Sequence, residues 1–445
     1  MSTLSRSETN LLQQPVNVKH VESLRSATEP RLLAVSYSYP PQTEPRAIQV
    51  SRLLKHLKAS IVLVCEGSPS RADDIRSIEM EDAESFLDKM FRIPLPSSSW
   101  RRVLNALAAR VYLPVWARTP DHLGAWKRPV VETVEDLLRT QDYRPDVLVT
   151  FAFPLVDNLI GLKLKRRFKL PWVAHFSDPW VDSPFREVDP LTKALNTRLE
   201  QSVIEGADRV VFTSPETAEL VLRKYRPALQ SKVRIVPHAY EPDLFCRPDK
   251  TGQERMIVRY LGDFYLGRTP KPLFQALELL SSTEPELLNN ICFEVVGAVQ
   301  GLDLEQMGIS RLPKGLVVFR PRVSYRESLS LMTSAAGLMV IDAPVPANSK
   351  SVFLPSKLIE YVGAARPVIG LTPPGTAADL IERLGGWVAD PKDVNEVARV
   401  MREYLLFLRE RRTDPFAEWG RREVREEFEA ETVATEFQRV LMELV

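Results

Sequence analysis

The sequence predicts an α/β protein of two doubly wound domains, each a parallel sheet covered by helices on both faces. Three observations lead there. Short β-branched runs alternate with helix-length amphipathic stretches along most of the chain. The alternation breaks once, at the polar, turn-rich HAYEPDLFCRPDKTGQER (238–255), and then restarts. At 445 residues the chain is also too long for one compact core.

In the first half, RLLAVSY (31–37) has the composition of a strand. RAIQVSRLLKHL (46–57) has helical spacing, with Ile48, Leu53, Leu54 and Leu57 on one side. IVLVC (61–65), DVLVTF (146–151), WVAHF (172–176), DRVVFT (208–213) and VRIVP (233–237) are the further strands. In the second half, MIVRYLG (256–262), ICFEVVG (291–297), LVVFR (316–320), GLMVID (337–342), RPVIGL (366–371) and GWVAD (386–390) repeat the pattern. The expected layout is a polar extension over residues 1–29, a first domain over 30–240 and a second over 256–413. Charged helices over 414–445 would pack back across both, and the polar break serves as the linker.

Composition narrows the function. Lys and Arg number 59 against 58 Asp and Glu, so the overall basic excess typical of phosphate-driven nucleic-acid binding is absent. Cys65, Cys246 and Cys292 are far apart and none has CxxC spacing, which argues against a disulfide framework or a zinc site and fits a reducing cytoplasm. The five histidines are scattered, so no metal cluster is expected. No apolar run reaches the length of a transmembrane helix, and the first twenty residues lack a signal-peptide core.

In open parallel sheets, ligands bind beyond the carboxyl ends of the strands. Three such places carry suggestive chemistry. In GDFYLGRTPKPLFQAL (262–277), Gly262 ends a strand and lets backbone approach a ligand, and Arg268 lies just before a helix with Lys271 one turn on. A guanidinium beside a helix N-terminus suits a diphosphate; a plain turn with a surface arginine explains the pattern as well. In FLPSKLIEY (353–361), Pro355 suits the first helical position, Lys357 offers a point charge and Glu360 lies one turn deeper. A carboxylate there would accept both hydroxyls of a ribose diol. The plainer account is a surface Lys–Glu pair at i,i+3, which requires an exposed glutamate. In VAHFSDPW (173–180), His175 would hydrogen-bond a sugar and Asp178 would orient or accept a proton from a hydroxyl. A satisfied core histidine and a turn-capping aspartate are the alternatives.

Together, RPVIGL after SKLIEYVGAA, GDFYLGRTP after a strand, LEQSVIEGADRVVFTSPETAELV (199–221), VRIVPHAYEPDLF and the opening RLLAVSYSYPPQTEPRAIQVSRLLKHL resemble glycosyltransferase family 4 of the GT-B class, over about residues 31–410. PDHLGAWKRP and RPDVLVTF…HFSDPW (within 120–180) resemble its bacterial surface-polysaccharide branch. The resemblance implies a GT-B fold with two Rossmann-like domains facing a central cleft. It implies retaining, metal-independent transfer from a nucleotide-diphosphate sugar, with no further cofactor. Glu360 would hold the donor ribose, while Arg268 and Lys357 would face its phosphates near Gly262. The acceptor, a saccharide or lipid-linked saccharide, would bind the first domain near His175 and Asp178.

Three departures bear on this. Many members carry an acid eight positions before the glutamate, where this chain has Val352. Many have two glycines after the first strand, where this chain has YPPQTEPR (39–46). His238-Ala239 stands where Asn-Gly is common. The first two departures favour an alternative, a catalytically silent GT-B subunit that binds a nucleotide sugar or a partner protein. A nucleotide-sugar epimerase would need acid/base residues the sequence does not display. Finally, SSSWRRVLNALAARVYLPVWARTPDHLGAWKRP (97–129) is basic and tryptophan-rich, which suits docking at the anionic inner face of a membrane; the plainer account is an ordinary helix with snorkelling arginines.

Overall fold

The computed structural model describes residues 29–67, 83–95, 120–140, 143–183, 189–246, 255–265, 267–299, 301–346, 349–411 and 417–445. Most of the basic, tryptophan-rich stretch at 97–129 lies outside them. The chain forms two compact units. The first takes in the chain up to Phe212, Val221–Arg234 and Phe437–Val445; the second takes in Thr213–Leu220 and Ile235–Glu436.

In chain order the first sheet and the helices along it are β1 (Arg31–Ser36), α1 (Pro45–Lys55), β2 (Ser60–Glu66), β3 (Lys89–Ile93), α2 (Lys127–Thr140), β4 (Val147–Phe151), α3 (Val156–Phe168), β5 (Trp172–Phe176), α4 (Pro190–Gly206), β6 (Arg209–Phe212), α5 (Pro215–Leu222), most of which belongs to the second unit, and β7 (Val233–Ile235). The strand order is β3-β2-β1-β4-β5-β6-β7. β1 pairs in parallel with both β2 and β4. The order therefore reverses direction between β1 and β4, which opens a crevice at their carboxyl ends. Apolar runs such as Leu32–Val35 and Val147–Val149 are almost wholly buried, as strands covered on both faces must be.

The strand β3 was not anticipated from sequence. Its KMFRI buries only Met90 and Ile93, and it lies at the sheet edge, so it lacks the continuous apolar run of the inner strands.

The second unit follows with β8 (Met256–Leu261), α6 (Lys271–Thr283), β9 (Ile291–Val296), β10 (Val317–Arg320), α7 (Tyr325–Thr333), β11 (Gly337–Ile341), α8 (Ser356–Ala364), β12 (Val368–Leu371), α9 (Thr376–Leu384), β13 (Trp387–Ala389), α10 (Val394–Glu410), α11 (Arg422–Glu426) and the start of α12 (Ala430–Met442), which from Phe437 on belongs to the first unit. The sheet order β10-β9-β8-β11-β12-β13 repeats the reversal, here between β8 and β11. Alternation splits the core into two layers. Tyr260, Met339 and Ile341 pack with α6 and α10 on one face, while Leu261, Leu338 and Val340 pack with α8 and α9 on the other.

One contact in the first unit is tight enough to test. Trp172 on β5 donates its indole N–H to Thr150 Oγ1 at 3.0 Å, and its ring lies against the backbone of α3 at Gly161. A Cβ at Gly161 would sit 2.5 Å from that ring. Replacing a helical glycine by alanine ordinarily stabilises by about 1 kcal/mol. Here Gly161→Ala is expected to destabilise by roughly 1–3 kcal/mol through overpacking, read as a lower urea midpoint at unchanged m-value.

Candidate functional site

In the second unit, the loops after β8 and β11 flank the switch point and bring four of the sequence-predicted residues into one neighbourhood. Gly262 follows β8 directly. Its φ of +135° belongs to the region that favours glycine, and a Cβ there would lie 2.5 Å from Lys357 Nζ. The missing side chain is thus the space the lysine occupies. Lys357 lies in the first turn of α8. Its ammonium donates to the Tyr260 hydroxyl at 2.8 Å and sits 4.0 Å from the centre of the same ring. Burial lowers the Lys357 pKa to about 7, with the nearby Arg268 charge adding to the shift and Asp342 and Asp263 opposing it.

Arg268 is 8% exposed, so it is not the surface arginine of an ordinary turn. Its Nε donates to Asp342 Oδ1 at 2.8 Å, and its guanidinium lies 4.7 Å from the Tyr265 ring. Asp342 follows β11, is 2% exposed, and also accepts from the Ala343 N–H at 2.9 Å and the Ser351 hydroxyl at 3.2 Å.

Helix α8 begins at Ser356, with Pro355 at the cap and not in the first helical position. Glu360 is 9% exposed and accepts from the Tyr325 hydroxyl at 3.0 Å. The surface-pair account required an exposed glutamate, and that is not what is found. Val352, in the place where an acid was expected, is buried; its carbonyl accepts from Ser214 Oγ at 3.3 Å and Thr217 Oγ1 at 3.0 Å.

In the first unit, His175 is the fourth residue of β5, inside the strand and not beyond its end, and is 3% exposed. Its Nδ1 lies 3.2 Å from Arg46 Nη2, and the rings of Phe151 and Phe437 flank it at 5.4 and 6.3 Å. Arg46 opens α1. Burial lowers its pKa to about 10, while Asp178 and Asp157 hold it up. Asp178 is half-buried and accepts from the Ser177 hydroxyl at 3.1 Å.

Asp157, in the first turn of α3, is fully buried and accepts the Tyr37 N–H at 2.8 Å. Burial pushes its pKa well above the usual carboxylate range. Its Oδ1 has no hydrogen-bond partner among the described residues, and the same is true of Asn158 Nδ2, Gln42 Oε1 and Arg46 Nε. Among the described residues no three His, Cys, Asp or Glu side chains gather as a metal site.

Sequence reasoning passed over Tyr260, Tyr325, Asp342, Arg46 and Asp157. Asp342 carried a usable signal, since it is an acid at the end of a buried strand beside the switch point. Tyr260 carried a weaker one, two residues before Gly262 and so on the same side of the strand.

A family model described as "Glycosyl transferase 4-like domain" matches residues 43–239. A D-inositol 3-phosphate glycosyltransferase from Geodermatophilus obscurus is 24% identical over 220 residues, 46% of this chain and 47% of that relative, so the chain spans about half of its length. Among solved structures, sucrose-phosphate synthase from Thermosynechococcus elongatus superposes with a TM-score of 0.63 at 17% identity, over 94% of this chain and 99% of that one. Anabaena HepE in complex with UDP and glucose gives 0.62 at 14% identity, over 93% and 100%. An UDP-forming trehalose-phosphate synthase from Burkholderia xenovorans gives 0.62 at 12%, over 93% and 99%. The chain thus has the GT-B fold, and its residues 43–239 match a glycosyl transferase 4-like domain.

Proposed function

We propose that the chain is a glycosyltransferase that moves a sugar from a nucleotide-diphosphate donor to a hydroxyl of a saccharide or lipid-linked saccharide, with retention and without a metal. The observation that carries the reading is the placement of Lys357 and Glu360 one turn apart on α8. The lysine fills the space left by Gly262, and the glutamate is buried on Tyr325. A diphosphate at the switch point would meet Lys357 and Arg268, and developing charge on the leaving group would be held by these cations. A ribose diol would lie on Glu360. In the first unit, Asp178 would orient the acceptor hydroxyl.

The names of the relatives support a different kind of acceptor. Their names include syntheses of sucrose phosphate and trehalose phosphate and transfer to an inositol phosphate, which supports a small phosphorylated polyol as a second acceptor class. A role in surface polysaccharide synthesis rests on the branch resemblance, and docking at a bilayer rests on the composition of 97–129. No described helix is long and apolar enough to cross a membrane.

Thermal shift with UDP-, GDP-, ADP- and dTDP-sugars tests the donor site. One nucleotide series is expected to raise the Tm of the wild type but not of Glu360→Ala, since a ligand at about 100 times its Kd adds about 2.7 kcal/mol to the folded state. Stabilisation without slow donor hydrolysis or transfer would favour the silent subunit; no stabilisation by any donor would remove the reading.

The lysine supplies a pH test. A diphosphate favours the charged ammonium, so donor Kd should be tightest below about pH 7 and weaken by up to about tenfold per unit above it. A flat profile would exclude Lys357 as the phosphate contact. Stability runs the other way. The folded pKa lies below the unfolded value of about 10.4, so the unfolded chain binds more protons between the two, and the penalty is greatest below pH 7 and fades as pH rises. Lys357→Met is therefore expected to raise Tm most at pH 6 while abolishing donor binding.

Liposome flotation of the wild type against Trp100→Glu/Val103→Glu tests the membrane part. Anionic vesicles should carry the wild type and not the variant; equal behaviour of the two would remove the bilayer from the proposal.

A further inference from the structure

The contact between Arg46 and His175 fixes more than position. A guanidinium has only donors to offer. When Arg46 Nη2 approaches His175 Nδ1 to 3.2 Å, the ring nitrogen must present its lone pair. The ring proton then sits on Nε2, and the imidazole is neutral. Protonating Nδ1 would point one N–H at another and place two cations in contact where the histidine is 3% exposed.

The surroundings reinforce this. Arg46 on α1 meets Nδ1, and the aromatic rings of Phe151 on β4 and Phe437 on α12 lie beside the imidazole. The carboxylates Asp157, from α3, and Asp178, from the loop after β5, act on the guanidinium and keep it charged. Arg46 also lies 5.7 Å from the centre of the Phe151 ring, the same ring that flanks His175, so guanidinium and imidazole share one support.

We infer that Arg46 is a positioning residue that locks His175 as a neutral Nε2–H tautomer, so that its Nδ1 lone pair is taken up by the guanidinium and cannot serve as a general base. Its bearing on sugar transfer rests on the proposed glycosyltransferase activity; the tautomer does not. Within that activity, proton acceptance from the acceptor hydroxyl falls to another group, for which Asp178 is the nearby carboxylate.

The test uses the full chain labelled with 15N-histidine and two-bond proton–nitrogen correlation spectra between pH 5 and 8. His175→Gln assigns the signal among the five histidines. The expected wild-type signal has an unprotonated Nδ1 and a protonated Nε2 and keeps that form to a pH below the ordinary histidine range of ~6.5. Arg46→Met should move the transition upward from that of the wild type, whereas Arg46→Lys, still donor-only, should keep the tautomer. A wild-type His175 that titrates at 6.5 or above, or that carries its proton on Nδ1, overturns the inference even if neither variant folds. The expected spectrum in a chain that transfers no sugar would remove the proposed activity and leave the tautomer standing.

Discussion

Two cations, the buried Arg268 and the half-buried Lys357, are held close together, and much of the second unit is arranged to make that tolerable. Burial and mutual repulsion both disfavour charge on the lysine. The chain answers with Asp342 under the guanidinium and with the hydroxyl and ring face of Tyr260 under the ammonium. Gly262 supplies the space. Without the glycine the ammonium would have no room, and without Asp342 the guanidinium would be a buried charge with its main counter-ion removed, a loss of several kcal/mol by usual experience.

Strand order decides where this can happen. In both sheets the first strand of the unit lies in the middle and the chain winds outward in one direction and then the other. At the reversal, neighbouring loops diverge and leave backbone and side chains facing a crevice. The loops after β8 and β11 carry Gly262, Arg268 and Asp342, and those after β1 and β4 lead to Arg46 and Asp157. The same arrangement thus presents a cationic floor in one unit and a mixed donor and acceptor floor in the other.

The buried strands were legible in the sequence because a strand covered on both faces must be apolar throughout, and runs such as LLAVS or GLMVI are short, β-branched and spaced by helix-length segments. KMFRI escaped because an edge strand needs no such run. Residues fixed by local chemistry were also legible: Gly262 at a strand end, and Lys357 and Glu360 at helical spacing. Their partners were not. Tyr260 meets Lys357 across 97 residues, Asp342 meets Arg268 across 74, and Arg46 meets His175 across 129, distances at which only the completed sheet brings side chains together. His175 itself was ambiguous for the same reason, since its chemistry is set by a guanidinium that no local pattern announces.

Asp342 has an implication for discrimination. An anion arriving at Arg268 finds a carboxylate already seated there, braced by a backbone N–H and a serine hydroxyl. A singly charged visitor gains little by dislodging it, because it only replaces one carboxylate-like contact with another and leaves Asp342 stranded in a dry pocket. On the proposed donor site, an anion with two linked phosphates would engage Lys357 and Arg268 together and recover what is lost. The internal carboxylate would then act as a threshold against small anions by occupying their place in advance.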